Sequence, residues 1–434
     1  FRRVLFRSAI DFLKGDKIRS HIKDINYMYN NFPTATTINL REERLMRLLK
    51  HAVTTTSFYR QYSDFKTIRD FPIINKNIIR DNFDEFISKK YSKNKLKPIF
   101  TSGSTGTPFK ILQDKNKKRR NIADLIYFGN LAGYKLGTRL YYLRAWTELN
   151  KKSAIMFWIQ NLKPVNIFDF STPDSIYSFL RSIKKDRSNK SILGYPSTFE
   201  TILNYIDSSF QVKFNGEINS IISGAESLND DLKISLMKYF NAPVVSRYSN
   251  QENGIIAQQS ANGDNDFFIN YASYYVEILN IDDNSPAPAE SPGRIVITDF
   301  FNYGMPLIRY DTGDIGIFKT KETKNSNNLT VLTSIEGRKV YMIYNTDGRL
   351  ISSFTFINFM WRYQNIRQFQ LIQTGKKQYE LILNCDKPFL EEKELIDEYK
   401  ECLNSDASIR VKYVNEIPLL ESGKRKTIIN KFSE

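Results

Sequence analysis

Phe100-Thr101-Ser102-Gly103-Ser104-Thr105-Gly106-Thr107-Pro108-Phe109-Lys110 is the stretch on which the reading of this chain turns. Seven of its residues are Gly, Ser or Thr. It follows Lys97-Pro98-Ile99-Phe100, a run able to end a strand. Two glycines separated by Ser-Thr let the backbone take positive φ and approach a ligand closely. Hydroxyls and bare amides can then surround an anion, with Lys110 adding charge. The plainer reading is a polar surface turn. A kinase-type phosphate loop is excluded, because its Lys must follow the second Gly directly, and here Gly106 is followed by Thr107-Pro108.

Outward from this loop the chain alternates strands and helices. Residues 116–133 read as a helix, and Gly133 to Gly137 turns into a strand at Arg139 to Arg144. A helix–strand unit runs from Asp174 to Gly194. The strand Ser220 to Ser223 ends in Gly224-Ala225-Glu226, residues 227–240 form a helix, and Pro243 to Tyr248 is a further strand. Such alternation implies a mainly parallel sheet covered by helices, with ligands bound beyond the strand ends. On the N-terminal side, Leu45, Leu48, Leu49 and Ala52 lie at i, i+3, i+4 and i+7, the buried stripe of a helix. On the C-terminal side, 267–281 and 294–299 are strand-like around a Pro-rich loop at 284–293, giving a β-rich subdomain. Strands at 368–373, 378–383 and 409–414 with an amphipathic helix at 391–402 make a compact α+β unit.

Composition narrows the class. A chain of 434 residues with 41% hydrophobic content builds a large core plus a smaller one. Apolar stretches such as Ala154 to Ile159 are too short to cross a bilayer, so no transmembrane segment is expected. Cys385 and Cys402 make neither a disulfide framework nor a metal cluster, which fits a reducing, cytoplasmic setting. The net charge of +16 is scattered, without zinc-finger spacing or an aromatic RNA-binding motif, so nucleic acid is not an expected partner. Residues 1–8 look foreign to the rest and stand outside the fold reading. With only His21 and His51, both in the N-terminal helical region, a Ser–His hydrolase is disfavoured.

Five motifs, taken in order, resemble those of adenylate-forming enzymes, the superfamily of acyl-CoA ligases, luciferases and peptide-synthetase adenylation domains. The loop Thr101 to Pro108 is similar to its phosphate-gripping signature. Tyr248-Ser249-Asn250-Gln251-Glu252 resembles its Tyr-Gly-x-Thr-Glu, with Ser249 in place of Gly and Gln251 in place of Thr. Pro306-Leu307-Ile308-Arg309-Tyr310-Asp311-Thr312-Gly313-Asp314 is a long match to the ribose-binding motif. Gly337-Arg338 resembles the junction to a small C-terminal domain, although Val340 stands where relatives carry Asp. Ser422-Gly423-Lys424 resembles the motif of the terminal catalytic lysine, with Lys426 as a competitor. The Phe58-Tyr59-Arg60 helix end followed by Phe71-Pro72-Ile73-Ile74-Asn75-Lys76 looks like the phenylacetate-CoA ligase and CapK-like branch, the latter linked to capsular polysaccharide.

The resemblance implies a fold, a chemistry and a site. The fold is a large α/β domain (9–336), with helix-covered, mainly parallel sheets and a β-rich subdomain, followed by a small mobile α+β domain (337–434). The chemistry is attack of a carboxylate on the α-phosphate of ATP, then transfer of the acyl group, to coenzyme A or else to an amine, sugar or carrier; a nucleotide binder without turnover is the other class. The site comprises Thr101, Ser102, Gly103, Ser104, Thr105, Gly106 and Thr107 on the phosphates. Gly224, Ala225, Glu226, Tyr248, Ser249, Asp314 and Arg338 hold the rest of the nucleotide, Glu252 holds Mg²⁺, and Lys424 is catalytic. Aromatic residues around Tyr142, Tyr195 and Gly224 are candidates to line the acid pocket.

Overall fold

The computed structural model describes residues 17–101, 109–146, 153–170, 172–206, 212–262, 264–281, 283–322, 328–338, 343–351, 356, 360, 362–363, 365–385, 388–418 and 426–432. Its centre is a seven-stranded sheet in the order Leu162–Asn166, Arg139–Arg144, Lys190–Gly194, Ile218–Gly224, Val244–Asn250, Gly254–Gln258, Phe268–Ile269. The first five strands pair in parallel, and the last two join antiparallel. Helices Pro173–Lys185, Pro196–Asn204 and Asp230–Phe240 supply Ile176, Leu180, Phe199, Leu236 and Phe240 to a core against Tyr141, Leu143, Ile192, Ile221 and Val244. Ala132, at the end of helix Lys115–Leu131, packs on Ile222 and Val245 of the other sheet face. Two covered faces explain why these strands are near-continuous apolar runs.

Local chemistry sets the element ends. Asn75 accepts from the backbone N–H groups of Asn77 and Ile78, opening helix Lys76–Asp81. Asp114 caps helix Lys115–Leu131 by accepting from Lys117 N at 2.9 Å. Its second oxygen accepts from the amides of Tyr303 and Gly304 at 2.8 and 3.0 Å, so the same carboxylate ties the central-loop region to the Tyr303–Asp314 segment. The stripe on helix Ala35–Thr55 is buried as expected: Leu45, Leu48, Leu49 and Ala52 join a core with Tyr59, Phe71, Phe109 and Tyr310.

Beyond the large sheet, Tyr274–Leu279, Pro292–Asp299, Tyr310–Glu322 and Asn328–Arg338 form a four-stranded antiparallel sheet, the β-rich subdomain. The C-terminal region has its own core, from Ile343 to Ile428, under a hairpin of Ile366–Gly375 and Gln378–Cys385. Ser408–Tyr413 and Ile428–Asn430 flank that hairpin in parallel, and helix Glu392–Leu403 covers it.

Several expectations are corrected. The chain between 154 and 166 is a helix, Ala154–Gln160, and an edge strand, Leu162–Asn166, which the sequence reading passed over because the strand is short and contains Pro164. Gly254–Gln258 is an unforeseen antiparallel strand. Helix Asp230–Phe240 starts three residues later than expected, where Asn229 caps it. Thr312-Gly313 is a bulge inside a long strand: the register jumps from Val296↔Asp311 to Arg294↔Ile315, and Gly313 sits at φ +79°.

Candidate active site

Strand Val244–Asn250 and the bulged strand Tyr310–Glu322 bring two sequence-predicted residues into contact. The Tyr248 hydroxyl donates to Asp314 Oδ2 at 2.7 Å and lies 3.3 Å from Thr312 Oγ1. The bulge creates this geometry. Asp311 accepts from Gly313 N at 2.8 Å, Thr312 Oγ1 accepts from Asp314 N at 3.1 Å, and Thr312 donates to Ile295 O at 2.9 Å. Burial, with the Asp314 carboxylate beside it, pushes the Tyr248 phenol well above its ordinary range, so it stays a donor. An aromatic face near the end of the parallel sheet and a carboxylate from the antiparallel sheet, fixed next to one another, suit a nucleoside.

Glu252, expected on a metal, is 2% exposed and already engaged. Lys76 Nζ lies 2.6 Å from its Oε1, and the Tyr310 hydroxyl donates to the same atom at 3.1 Å. The Glu252 carbonyl accepts from Gln113 Nε2 at 2.9 Å. Lys76 is positioned by backbone pairing of distant segments: Ile74 N donates to Arg309 O at 3.0 Å, and Asp311 N donates to Ile74 O at 2.8 Å. Arg309 is itself locked, with φ +50° and a two-pronged bond to Glu277 at 3.1 and 3.0 Å. No group of three or more His, Cys, Asp or Glu side chains suited to a metal occurs among the described residues. The donor set at Glu252 therefore fits a lysine, and a divalent cation would have to displace it from Oε1.

At the neighbouring strand end, Gly224 is followed by Ala225 at φ +70°, a conformation that costs a non-glycine residue about 1–3 kcal/mol. Glu226 accepts from Ser197 N at 2.9 Å and from Ser197 Oγ at 3.1 Å, at the start of helix Pro196–Asn204. Ser227 Oγ donates to Ile335 O at 3.0 Å, tying this turn to the second sheet. Ser249 lies in strand Val244–Asn250, at a register shift. Arg338 ends strand Asn328–Arg338 opposite Asp314 in the backbone ladder. Thr101 ends strand Lys97–Thr101. The loop residues Ser102, Gly103, Ser104, Thr105, Gly106 and Thr107, as well as Val340 and Lys424, lie outside the described residues.

Residues 343–431 match the family model of the CapK C-terminal domain. Protein CapK of Staphylococcus aureus is 26% identical over 376 residues, spanning 84% of this chain and 80% of that protein. Among solved structures, a 2-hydroxyisobutyryl-CoA ligase in the postadenylation state, in complex with R3-HIB-AMP, superposes with a TM-score of 0.73 at 14% identity, covering 92% of this chain and 91% of that one. The chain therefore has the fold of that ligase, and its C-terminal residues match the CapK family model. The same ligase in the thioesterification state, in complex with 2-HIB-AMP and CoA, gives only 0.53 at 16% identity, with 92% and 91% coverage. At equal coverage the chain superposes better on the first of these two forms than on the second.

The sequence reading missed four side chains of this fold. Lys76 and Tyr310 sat inside quoted motifs, but nothing local said that both would meet Glu252. Arg144 and Arg247 carried no motif signal at all. Arg144 ends strand Arg139–Arg144, and Arg247 lies in the middle of strand Val244–Asn250, beside Tyr248.

Proposed function

We propose that this protein activates a carboxylic acid with ATP, giving an acyl-adenylate and pyrophosphate, and then passes the acyl group to an acceptor. The observation that carries the reading is the Tyr248–Asp314 contact of 2.7 Å between the large sheet and the β-rich subdomain. In the proposal Tyr248 stacks on the base, Asp314 accepts the ribose hydroxyls, and Gly224-Ala225-Glu226 with Ser249 frames the adenine. Thr101 to Thr107 grips the phosphates, and Arg338 approaches the ribose. A carboxylate needs no general base at neutral pH. Its oxygen bonds to the α-phosphorus while the bond to pyrophosphate breaks, a step that rewards positioning and charge neutralisation. Lys424 supplies positive charge to the α-phosphate from a C-terminal unit, 337–434, that closes on the large unit, 9–336. Magnesium accompanying ATP would be held by Glu252 in exchange for Lys76.

For the second step, the CapK match of residues 343–431 supports an amine, sugar or carrier acceptor ahead of coenzyme A. Dependence on ATP fits a cytoplasmic protein, and no helix among the described residues is long and apolar enough to cross a membrane. The test is acid-dependent exchange of pyrophosphate into ATP. Asp314→Ala is expected to weaken ATP binding on the order of 10–100-fold, the worth of hydrogen bonds to a charged acceptor. Unchanged ATP affinity by calorimetry, or no exchange with any acid of a broad panel, rejects the reading.

A further inference from the structure

Side chains alternate along a strand. Tyr248 points to the nucleotide side, so its neighbour Arg247 points to the opposite face. The sheet register fixes what shares that face. Tyr142 pairs with Leu193, Leu193 with Ile222, and Ile222 with Val245. Two residues further on, Arg144, Gly224 and Arg247 fall in one row on one side of the sheet. Three strand spacings, about 14 Å, separate the backbones of the two arginines. Tyr195, two residues beyond Leu193, and Gly224 lie between them in the row; Gly224 carries no side chain, and a Cβ there would meet only Arg247 within 4 Å. Two extended guanidinium side chains can reach across such a gap to one small molecule.

Neither arginine is balanced. Arg247 is 7% exposed. Its Nε donates to the neutral amide of Gln258 at 2.6 Å, and its Nη2 is buried with no hydrogen-bond partner among the described residues. Burial pulls its guanidinium down to about 10, so it remains a cation at neutral pH. Arg144 has a buried Nε without a partner among the described residues. Its guanidinium lies 5.4 Å from the Tyr142 ring and 5.2 Å from the Trp146 ring, contacts that hold a cation in place without neutralising it. Neither arginine has a carboxylate within ion-pair distance among the described residues. A buried cation left with neutral contacts is costly, and the cost is recovered when an anion arrives.

We propose that the acid activated here carries a second oxyanion, held by Arg247 and Arg144 on the face of the sheet opposite Tyr248. The representative class is a short dicarboxylic acid, because guanidinium and carboxylate match in shape and charge. A monocarboxylic aryl acid is the wrong substrate for such a site, since it would leave the buried Arg247 and the half-buried Arg144 without a counter-charge. This inference rests on the adenylation reading above.

The test compares succinate and glutarate with butyrate and pentanoate, and 3-phosphonopropionate as a separate arm. Binding is read by calorimetry with a non-hydrolysable ATP analogue present, and pyrophosphate exchange is read separately. The wild-type protein is expected to bind the doubly anionic acids on the order of tenfold or more tighter than their matched monoacids. Preference for the phosphono acid over succinate identifies the second group as a phosphonate-like oxyanion, and the reverse identifies a carboxylate; both support the proposal. In Arg247→Met and Arg144→Met the preference is expected to fall to within about twofold, with the ATP-analogue affinity and melting temperature reporting an intact fold. Arg247→Lys, which keeps the charge, is the second variant should the methionine form fail to fold; it retains part of the preference. Equal binding of mono- and diacids by the wild type, no diacid binding, or a preference that survives both methionine substitutions overturns the proposal. Exchange driven by monoacids alone sinks this inference and leaves adenylation standing. Loss of ATP-analogue binding and of all exchange sinks adenylation itself.

Discussion

Two sets of cations with buried nitrogens are built differently. Lys117 and Arg120, fully buried on helix Lys115–Leu131, meet carboxylates. Lys117 Nζ is 2.6 Å from Asp299 Oδ2, Arg120 Nη1 is 2.5 Å from Asp24 Oδ2, and Arg120 Nε is 3.6 Å from Asp124 Oδ1. Other buried cations of the fold are met by carbonyls, as where Lys190 Nζ donates to Asp186 O and Ser188 O at 2.5 and 3.1 Å. Arg247 has one amide and Arg144 has two aromatic rings. One nitrogen of Arg120, Nη2, is also left over, but its charge is balanced twice. The difference teaches a division of labour. Charges paired within the chain join its segments, here residue 24 to 120 and 117 to 299. In the proposal above, the charges left unpaired at Arg144 and Arg247 are the ones a ligand balances.

The largest effect that sharpens this contrast comes from Arg120→Met. It leaves Asp124 buried and Asp24 with one arginine fewer, and is expected to cost about 3–5 kcal/mol of unfolding free energy in denaturant titrations. A loss below 1 kcal/mol would break the claim that this set is structural. Next, Lys76→Met leaves Glu252 at its buried end of the site with Tyr310 alone, at an expected cost of about 1–3 kcal/mol. Adding Glu252→Gln should recover much of that loss, because no unpaired charge then remains; a double variant as unstable as the sum of the two singles would show that the pair is not coupled.

A smaller effect is in pH. Burial pushes the Asp24 carboxyl up, but Arg120 and Arg44 overcome this and hold it below its ordinary range. The contribution of Asp24 is therefore fully present above its unfolded value near 4, and is lost as pH falls through the lower folded value. Asp24→Asn is expected to cost about 1–2 kcal/mol at pH 7 and to flatten the stability curve below pH 4. A variant whose acid limb matches the wild type would assign that limb to other carboxylates. The smallest effect belongs to the other set. Arg247→Met should change stability by less than about 1 kcal/mol, in either direction, since it removes an unbalanced buried charge and fills the space with an apolar chain. A loss of 3 kcal/mol or more would move Arg247 into the structural set.

Much of this architecture is written locally, and the sequence determined it alone. The apolar runs at 190–194, 218–224 and 244–250, the stripe on helix Ala35–Thr55 and the caps at Asn75, Asp114 and Asn229 depend on nearest neighbours in the chain. So do the order of motifs and their placement at strand ends, which made Tyr248 and Asp314 legible as partners in a site. The edge strand Leu162–Asn166 and the strand Gly254–Gln258 were not legible, because a short strand is specified by what it pairs with. The tertiary structure alone decided which charges meet. That Glu252 meets Lys76 follows only from the pairing of Ile74 with Arg309 and Asp311, which no local signal carries. Thr312-Gly313 reads as a turn until its ladder partner shows a bulge. Arg144 and Arg247 are unremarkable in sequence, two cations among 63 Lys and Arg. They become a pair because parallel register sets them in one row, and energies between charges depend on distance and burial, neither of which a single chain position carries.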